Sequence, residues 1–415
     1  MNYHRSGPLF NGHCRVKRCY YYIPKALIKD SNQYKNVLEN ALGIPFSRNN
    51  KIDVLINGDE IFPAMLHAIE EAEHQIDFLT FVYWTGDVAV KFAKTLAKKA
   101  DQGVKVRVIL DCYGAYFMPK ELSKLMVNHG VDLKWFRPLS GWKIWKTDNR
   151  THRKVLICDK EVGFTGGVGI AEEWEGDARN PSEWRETHFR IKGEAVSGLQ
   201  AAFMENWIET MGYLPIDPDW ENDHVLPSGK KNDTLIQCLR TSASVRWSDI
   251  IMLYQTLIRI AQEDIRITTG YFNPNSNIIQ LLVEAVERGV EVNIMMPGKH
   301  MDKKVAKLAG EDAFEKLLNG GVKLWYYQKT MLHSKAITID NKVSCIGSAN
   351  FNHRSMLKDD EVNMVVIDDD LAQELNTHFE SDLEYCEKID AHRWNGRPGW
   401  KKSLEKITNL FKQQI

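Results

Sequence analysis

Apolar residues follow helical spacing from Ile61 to Glu73, run almost unbroken as a buried strand from Ile76 to Trp84, return to helical spacing from Val88 to Ala100, and form a second apolar run from Val104 to Asp111. Helices alternating with apolar strands predict βαβ units and a mainly parallel sheet. The order then recurs. Ile76-Asp-Phe-Leu-Thr is echoed by Ile265-Arg-Ile-Thr-Thr, Gly103-Val-Lys-Val-Arg-Val by Gly289-Val-Glu-Val-Asn-Ile, and Gly130-Val-Asp-Leu-Lys-Trp-Phe by Gly321-Val-Lys-Leu-Trp-Tyr-Tyr. The chain therefore reads as one α/β unit used twice, in copies of roughly 170 residues.

The most detailed echo lies after these strands. Arg150 to Gly169 and Met331 to Asn350 both read as β-hairpins, with apolar β-branched runs on either side of a polar turn, Asp159-Lys160 in one and Asp340-Asn341 in the other. His152, Lys154, Asp159 and Gly166 recur at identical spacing as His333, Lys335, Asp340 and Gly347. In a strand, residues two apart share a face. Each copy then presents one imidazole beside one ammonium, and the two copies together make a site suited to a phosphodiester. The ammoniums hold the anion, one imidazole attacks phosphorus, and the other protonates the leaving oxygen. Lys154 and Lys335 strengthen their grip as charge builds on the non-bridging oxygens. Asp159 and Asp340 stand at the turns, where bonding to nearby backbone groups is their cheapest role.

Because each copy carries half of this chemistry, the copies are expected to pack face to face about a pseudo-two-fold axis, with the site at their interface. The expected fold is α/β, made of two pseudo-symmetric α/β/α repeats with mixed, mainly parallel sheets. Its boundaries are an N-terminal arm over 1–49, a first repeat over 50–222, a second over 223–390 and a tail over 391–415, with a Pro- and Asp-rich linker from Pro215 to Lys231. Glu186 and Glu361 follow the two motifs at matched places, and a carboxylate beside an imidazole orients it and stabilises its charged form.

Composition narrows the setting. The 415 residues suffice for two cores, and 43% hydrophobic with 26% charged residues is ordinary for a globular protein. The net charge of -1 supplies no global field for nucleic acid, which counts against a nuclease. Seven cysteines without paired short spacing point to a reducing compartment. No apolar run is long enough to span a bilayer. The expected place is cytoplasmic, peripheral to the inner face of the cell membrane. Two segments either pack on the body of the fold or touch lipid: the basic, aromatic arm (Arg5, Arg15, Lys17, Arg18, Tyr20 to Tyr22), for which packing is the first expectation, and the tail, where Leu404, Ile407, Leu410 and Phe411 alternate with lysines. Trp142, Trp145, Trp174 and Trp184 flank the first motif and are expected either to line an acyl-chain entry or to cover the pocket rim. The lysines and an imidazolium supply the positive charge a metal would, so no metal or other cofactor is expected. Thr165-Gly-Gly-Val-Gly lacks the Lys-Ser/Thr ending of a phosphate-binding loop.

The doubled His-x-Lys-x4-Asp signature resembles the phospholipase D superfamily, and Trp184-Arg-Glu-Thr-His-Phe-Arg followed by Gly193 and Gln200-Ala-Ala-Phe resembles its bacterial cardiolipin synthase branch. The resemblance covers about residues 50 to 390. It implies a catalytic set drawn from both motifs, His152, Lys154, Asp159, His333, Lys335 and Asp340, with His152 forming a covalent phosphohistidine and His333 acting as general acid and then base. It implies an acidic residue against each histidine, supplied by Glu186 and Glu361, and phosphate-side donors at Ser348 and Asn350. The matching positions in the first copy are Gly167 and Gly169, which offer backbone groups only. The implied reaction joins two phosphatidylglycerols into cardiolipin and glycerol. Hydrolysis of a phospholipid by the same site is the alternative, and a nuclease of the superfamily a more distant one. A lipid-binding protein without chemistry is disfavoured by the intact His and Lys pairs. The oligomeric state stays open.

Overall fold

The computed structural model describes residues 28, 30–138, 149–212, 234–242 and 248–398. Trp142, Trp145, the linker from Pro215 to Lys231, the arm up to Tyr22 and the lysine-rich tail beyond Trp400 lie outside them. The first half contributes strands β1 (Ser47–Ile56), β2 (Gln75–Thr80), β3 (Lys105–Asp111), β4 (Asp132–Phe136), β5 (Val155–Cys158), β6 (Val162–Gly166) and β7 (Thr187–Gly193). The second contributes β8 (Thr234–Thr241), β9 (Asp264–Thr268), β10 (Phe272–Asn273), β11 (Glu291–Pro297), β12 (Lys323–Tyr327), β13 (Ala336–Ile339), β14 (Val343–Gly347), β15 (Phe351–Asn352), β16 (Glu361–Ile367) and β17 (Cys386–Lys388).

All but the short β10–β15 pair belong to one sheet of fifteen strands, in the order β17-β12-β11-β9-β13-β14-β16-β8-β1-β7-β6-β5-β2-β3-β4. From the β8–β1 junction outward the two sides read alike: β1, β7, β6, β5, β2, β3, β4 against β8, β16, β14, β13, β9, β11, β12. The junction itself is antiparallel and irregular, pairing Ser47 with Ile236 and Asn50 with Thr234. The sheet is mixed, as the sequence predicts, but the expectation of mainly parallel pairing holds only for the flanks β2-β3-β4 and β9-β11-β12. Helices such as Asp87–Asp101 and Ser276–Glu287 provide the long crossovers that parallel neighbours need. Toward the centre the motif hairpins β5-β6 and β13-β14 turn back directly, so every pairing there is antiparallel.

Three cores result. Helices Asn57–Glu71, Asp87–Asp101 and Lys120–Asn128 cover β2 and β3 through Ile61, Phe92, Leu96 and Met126. Helices Asp249–Ile260 and Ser276–Glu287 cover the second half through Leu253, Leu257, Ile278 and Leu282. Helix Ser31–Leu42, capped by the Asp30 carboxylate and closed by Gly43 at φ +67°, docks Tyr34 and Leu38 into that second core. A third cluster joins the halves. It sets Val155, Ile157, Phe189 and the helix Val196–Met211 against Ile346, Val362, Met364 and Leu371.

The hairpin turns carry positive φ at both central residues, +53° and +61° at Asp159 and Lys160, +52° and +55° at Asp340 and Asn341, a geometry that Asp and Asn tolerate. Asp159 and Asp340 both serve these turns by accepting backbone hydrogen bonds. Each sits at the far end of its strand from the histidine and receives backbone N–H groups. Asp159 takes those of Glu73, His74 and Gln75 at 2.7–2.8 Å. Asp340 takes those of Gln262, Glu263 and Asp264 at 2.6–3.0 Å and the Tyr34 hydroxyl at 2.6 Å.

Candidate active site

Neither motif histidine lies within its hairpin. Strands β5 and β13 begin at Val155 and Ala336, and His152 and His333 occupy the extended lead-ins before them. These lead-ins pair with the opposite half. The His152 N–H donates to the Asp360 carbonyl at 2.9 Å, and the His333 N–H to the Arg185 carbonyl at 2.8 Å. The next residue in each case, Glu361 or Glu186, turns its carboxylate onto the histidine just bound. His152 Nδ1 lies 3.0 Å from Glu361 Oε1, and His333 Nδ1 lies 2.7 Å from Glu186 Oε2. Each half thus supplies the acid for the other half's histidine. A carboxylate only accepts, so it holds the proton on Nδ1 and leaves Nε2 as the lone-pair nitrogen.

Both carboxylates are fully buried. Burial opposes their ionisation, but the neighbouring charges win. His152, Lys154 and the Ser348 hydroxyl, 2.5 Å from Oε2, hold Glu361 down to about 2. Lys335 and His333 hold Glu186 below the usual carboxylate range. Buried arginines fix the segments that carry them. Arg153, wedged between His152 and Lys154 in sequence, donates to the Glu361 carbonyl at 3.2 Å and to Ala202, Glu205 and Thr241. Arg185 donates to the Glu186 carbonyl at 2.7 Å and pairs with Asp382 at 3.0 Å.

The cations lie alongside. Lys154 Nζ donates to the His152 carbonyl at 2.7 Å. Lys335 Nζ sits 3.0 Å from His333 Nδ1 and donates to the His333 carbonyl. Burial pushes both lysines down, Lys154 to about 7 and Lys335 to about 8, although Glu361 and Glu186 oppose the shift. Burial likewise pushes both histidines down to about 4. Anion binding here is coupled to proton uptake, because an anion stabilises the charged form of each of these lysines and histidines.

Two segments of the chain, residues 65–207 and 254–383, match the family model described as "Cardiolipin synthase, PLD-like domain", and each segment holds one histidine and one of the paired glutamates. The chain belongs to this family. It is 30% identical over 368 residues to the cardiolipin synthase of Geobacillus kaustophilus, spanning 88% of this chain and 73% of that one. It is 31% identical over 373 residues to cardiolipin synthase 2 of Bacillus anthracis, spanning 89% and 71%. The phosphatidylserine synthase of Haemophilus influenzae shares the fold at a TM-score of 0.71 and 14% identity, covering 92% of this chain and all of that one.

Within this PLD-like site the two halves differ. Ser348 bonds Glu361, whereas at Gly167 any Cβ would fall 2.4 Å and 2.6 Å from the two Glu186 carboxylate oxygens. Gly167 leaves room for Glu186, which is further held by Thr187 N–H at 3.0 Å. Asn350 is buried beside His333, and Gly270 keeps the space between them open: a Cβ there would lie 3.3 Å from atoms of each. Trp174 and Trp184 stand with ring centroids 5.3 and 5.4 Å from His333, and Tyr271 at 6.2 Å, while Phe81 is 5.3 Å from His152.

Arg153, Phe81 and Tyr271 escaped the sequence reading because nothing in their spacing distinguishes them from packing residues, and Arg185 stands within the Trp184 to Arg190 stretch without a role that the sequence assigns. His188 is a further addition. It is buried two positions after Glu186, its Nδ1 finds no hydrogen-bond partner among the described residues, and burial pushes it down to about 3. Among the described residues no helix is long and apolar enough to cross a membrane.

Proposed function

We propose that the protein transfers a phosphatidyl group from one phosphatidylglycerol to another, giving cardiolipin and glycerol, by way of a phosphohistidine. The crossed histidine–glutamate pairs flanked by two buried lysines carry this reading, together with membership in the family and the cardiolipin synthases among its relatives.

His152 is the nucleophile. Its side chain is 13% exposed against 7% for His333, which is boxed in by Trp174, Trp184 and Tyr271. The neutral His152 Nε2 attacks phosphorus while Glu361 stabilises the charge that grows on the ring. As the phosphorus–oxygen bond to the departing glycerol breaks, His333 Nε2 gives that oxygen a proton. The arriving phosphodiester provides the anion that keeps His333 protonated until then. In the second step His333 takes the proton from a hydroxyl of the second phosphatidylglycerol. The resulting oxygen attacks the phosphohistidine and frees His152. Lys154 and Lys335 neutralise the non-bridging oxygens, and Ser348 and Asn350 flank them.

The same site would hydrolyse phospholipid if water were the acceptor. The aromatic box around His333 favours an alcohol, because it limits water at the base. Phospholipid is thus the substrate partner, and the enzyme works at a bilayer surface, in peripheral contact, on the inner face of the cell membrane.

The test is to incubate the purified protein with phosphatidylglycerol vesicles in EDTA, with His333→Ala alongside, and to resolve the lipids. Cardiolipin and glycerol, absent from the variant, are expected. Phosphatidic acid alone would replace transfer by hydrolysis. Alkaline quenching should leave an acid-labile glycerophosphoryl group, the phosphatidyl adduct without its acyl chains, on His152, and its absence during turnover would remove the covalent step.

A further inference from the structure

We propose that the loops following β3 and β11 form one bilayer-docking surface, the first inserting aromatic rings and the second gathering anionic headgroups; this rests on the phosphatidyl-transfer reading above.

The loop after β3 runs Cys112-Tyr-Gly-Ala-Tyr-Phe-Met-Pro119 without a charge. Tyr113, Tyr116 and Phe117 are 62%, 69% and 68% exposed. Their exposure is built in. Asp111 Oδ1 receives the N–H groups of Tyr113 and Gly114 at 2.9 and 3.0 Å, Trp84 Nε1 donates to the Gly114 carbonyl at 2.6 Å, and Met118 anchors the far end in the core. Any Cβ on Gly114 would fall 2.1 Å from the Phe81 carbonyl oxygen, so the loop lies flat on the residue that packs against His152. A fixed loop presenting three adjacent rings to water is unfavourable unless something apolar covers them.

The loop after β11 holds the equivalent place in the strand order and has the opposite character. Lys299, Lys303 and Lys304 are exposed. The single carboxylate between Gly298 and Lys304, Asp302, is held by the Tyr271 hydroxyl at 2.7 Å. Met301 points inward, packed with Met331 against Trp184 and Tyr271.

A belt of rings connects the two loops across the site. Phe117 meets Trp84 at 6.1 Å, Trp84 meets Trp174 at 6.2 Å, Trp174 meets Trp184 at 4.4 Å, and Trp184 reaches Met301. Two rings of that belt, Trp174 and Trp184, are the ones against His333. Continuity with the site selects the occupant. Tyrosines settle where headgroups meet acyl chains, and lysines bind lipid phosphates. An anionic phospholipid bilayer seated on both loops puts its phosphodiesters at the level of the histidines and leaves the acyl chains in the membrane.

The test sediments the full chain with sucrose-loaded vesicles of phosphatidylcholine, with and without an equal share of phosphatidylglycerol. Two variants are compared, Tyr116→Ser/Phe117→Ser and Lys299→Glu/Lys303→Glu, each checked for unchanged thermal unfolding. The aromatic variant should lose about tenfold or more in partitioning to both vesicles. The lysine variant should lose about fivefold per altered charge, on the anionic vesicles only, with a shallower salt dependence. Turnover of dihexanoyl phosphatidylglycerol below its micellar concentration should stay as in the parent for the aromatic variant. Equal partitioning of parent and variants, a parent that does not partition, or a loss confined to the lysine variant would each overturn the proposal. If the variants dissociate from vesicles yet no form of the protein turns over phosphatidylglycerol, the docking surface stands and the transfer reading falls.

Discussion

His152 takes its carboxylate partner, Glu361, from the opposite half of the chain, 3.0 Å from Nδ1. The two must act as a unit. Glu361→Gln keeps the shape but removes the charge that stabilises an imidazolium, and kcat should fall about 100-fold or more. In a His152→Ala background the same substitution should cost almost nothing further. Rates of the two single variants and the double variant check this, and multiplying losses would show that the residues work independently.

The lysines predict a pH dependence with a definite sign. Burial has lowered Lys154 to about 7 and Lys335 to about 8, and only their protonated forms attract an anion. Binding of a fixed-charge anion such as sulfate should therefore be strongest below pH 7, take up protons near neutrality, and weaken steeply as pH rises past 8. Calorimetry in buffers of different ionisation heat measures the uptake. Affinity constant from pH 6 to 9 would contradict it.

Gly167 predicts a severe small-to-larger substitution. In Gly167→Ser the new Cβ would collide with the Glu186 carboxylate that holds His333. Activity should drop about 100-fold, with a loss of about 1–3 kcal/mol in stability from overpacking. Ser348→Gly, which forfeits the bond to Glu361 and the acceptor for the Val362 N–H but introduces no clash, should be milder on both counts. Steady-state rates and urea unfolding compare the two, and the reverse ranking would refute the steric argument.

Asp340 should matter for stability alone. Asp340→Ala strands three backbone N–H groups and the Tyr34 hydroxyl, at a cost of about 3 kcal/mol or more. Below the lowered melting temperature kcat should be nearly that of the parent. A large fall in kcat without a fall in Tm would return Asp340 to the chemistry.

Much of this was legible in the residues because two copies of one pattern check each other. The paired His-x-Lys spacing, the matched places of Glu186 and Glu361 and the turn chemistry of Asp159 and Asp340 are local features that a sequence displays. What it does not display is partnership across the molecule. Nothing near Glu361 says that it serves His152 and not His333, since that follows from the lead-ins crossing between halves. Arg153 illustrates the same limit, for its partners lie 49 to 208 residues away. The mainly parallel expectation failed at the centre because strand order, unlike strand content, depends on which edges meet.

Those edges bear on folding as well. β1 and β8 are each the inner margin of one half, and in the assembled sheet they pair over Ser47 to Asn50 and Thr234 to Ile236, so each covers part of the other's unpaired backbone groups. A half released on its own would carry a long uncovered strand rim, the kind of template that recruits strands from neighbouring chains. Joining the halves therefore hides an adhesive margin in the same event that completes the two histidine–glutamate pairs.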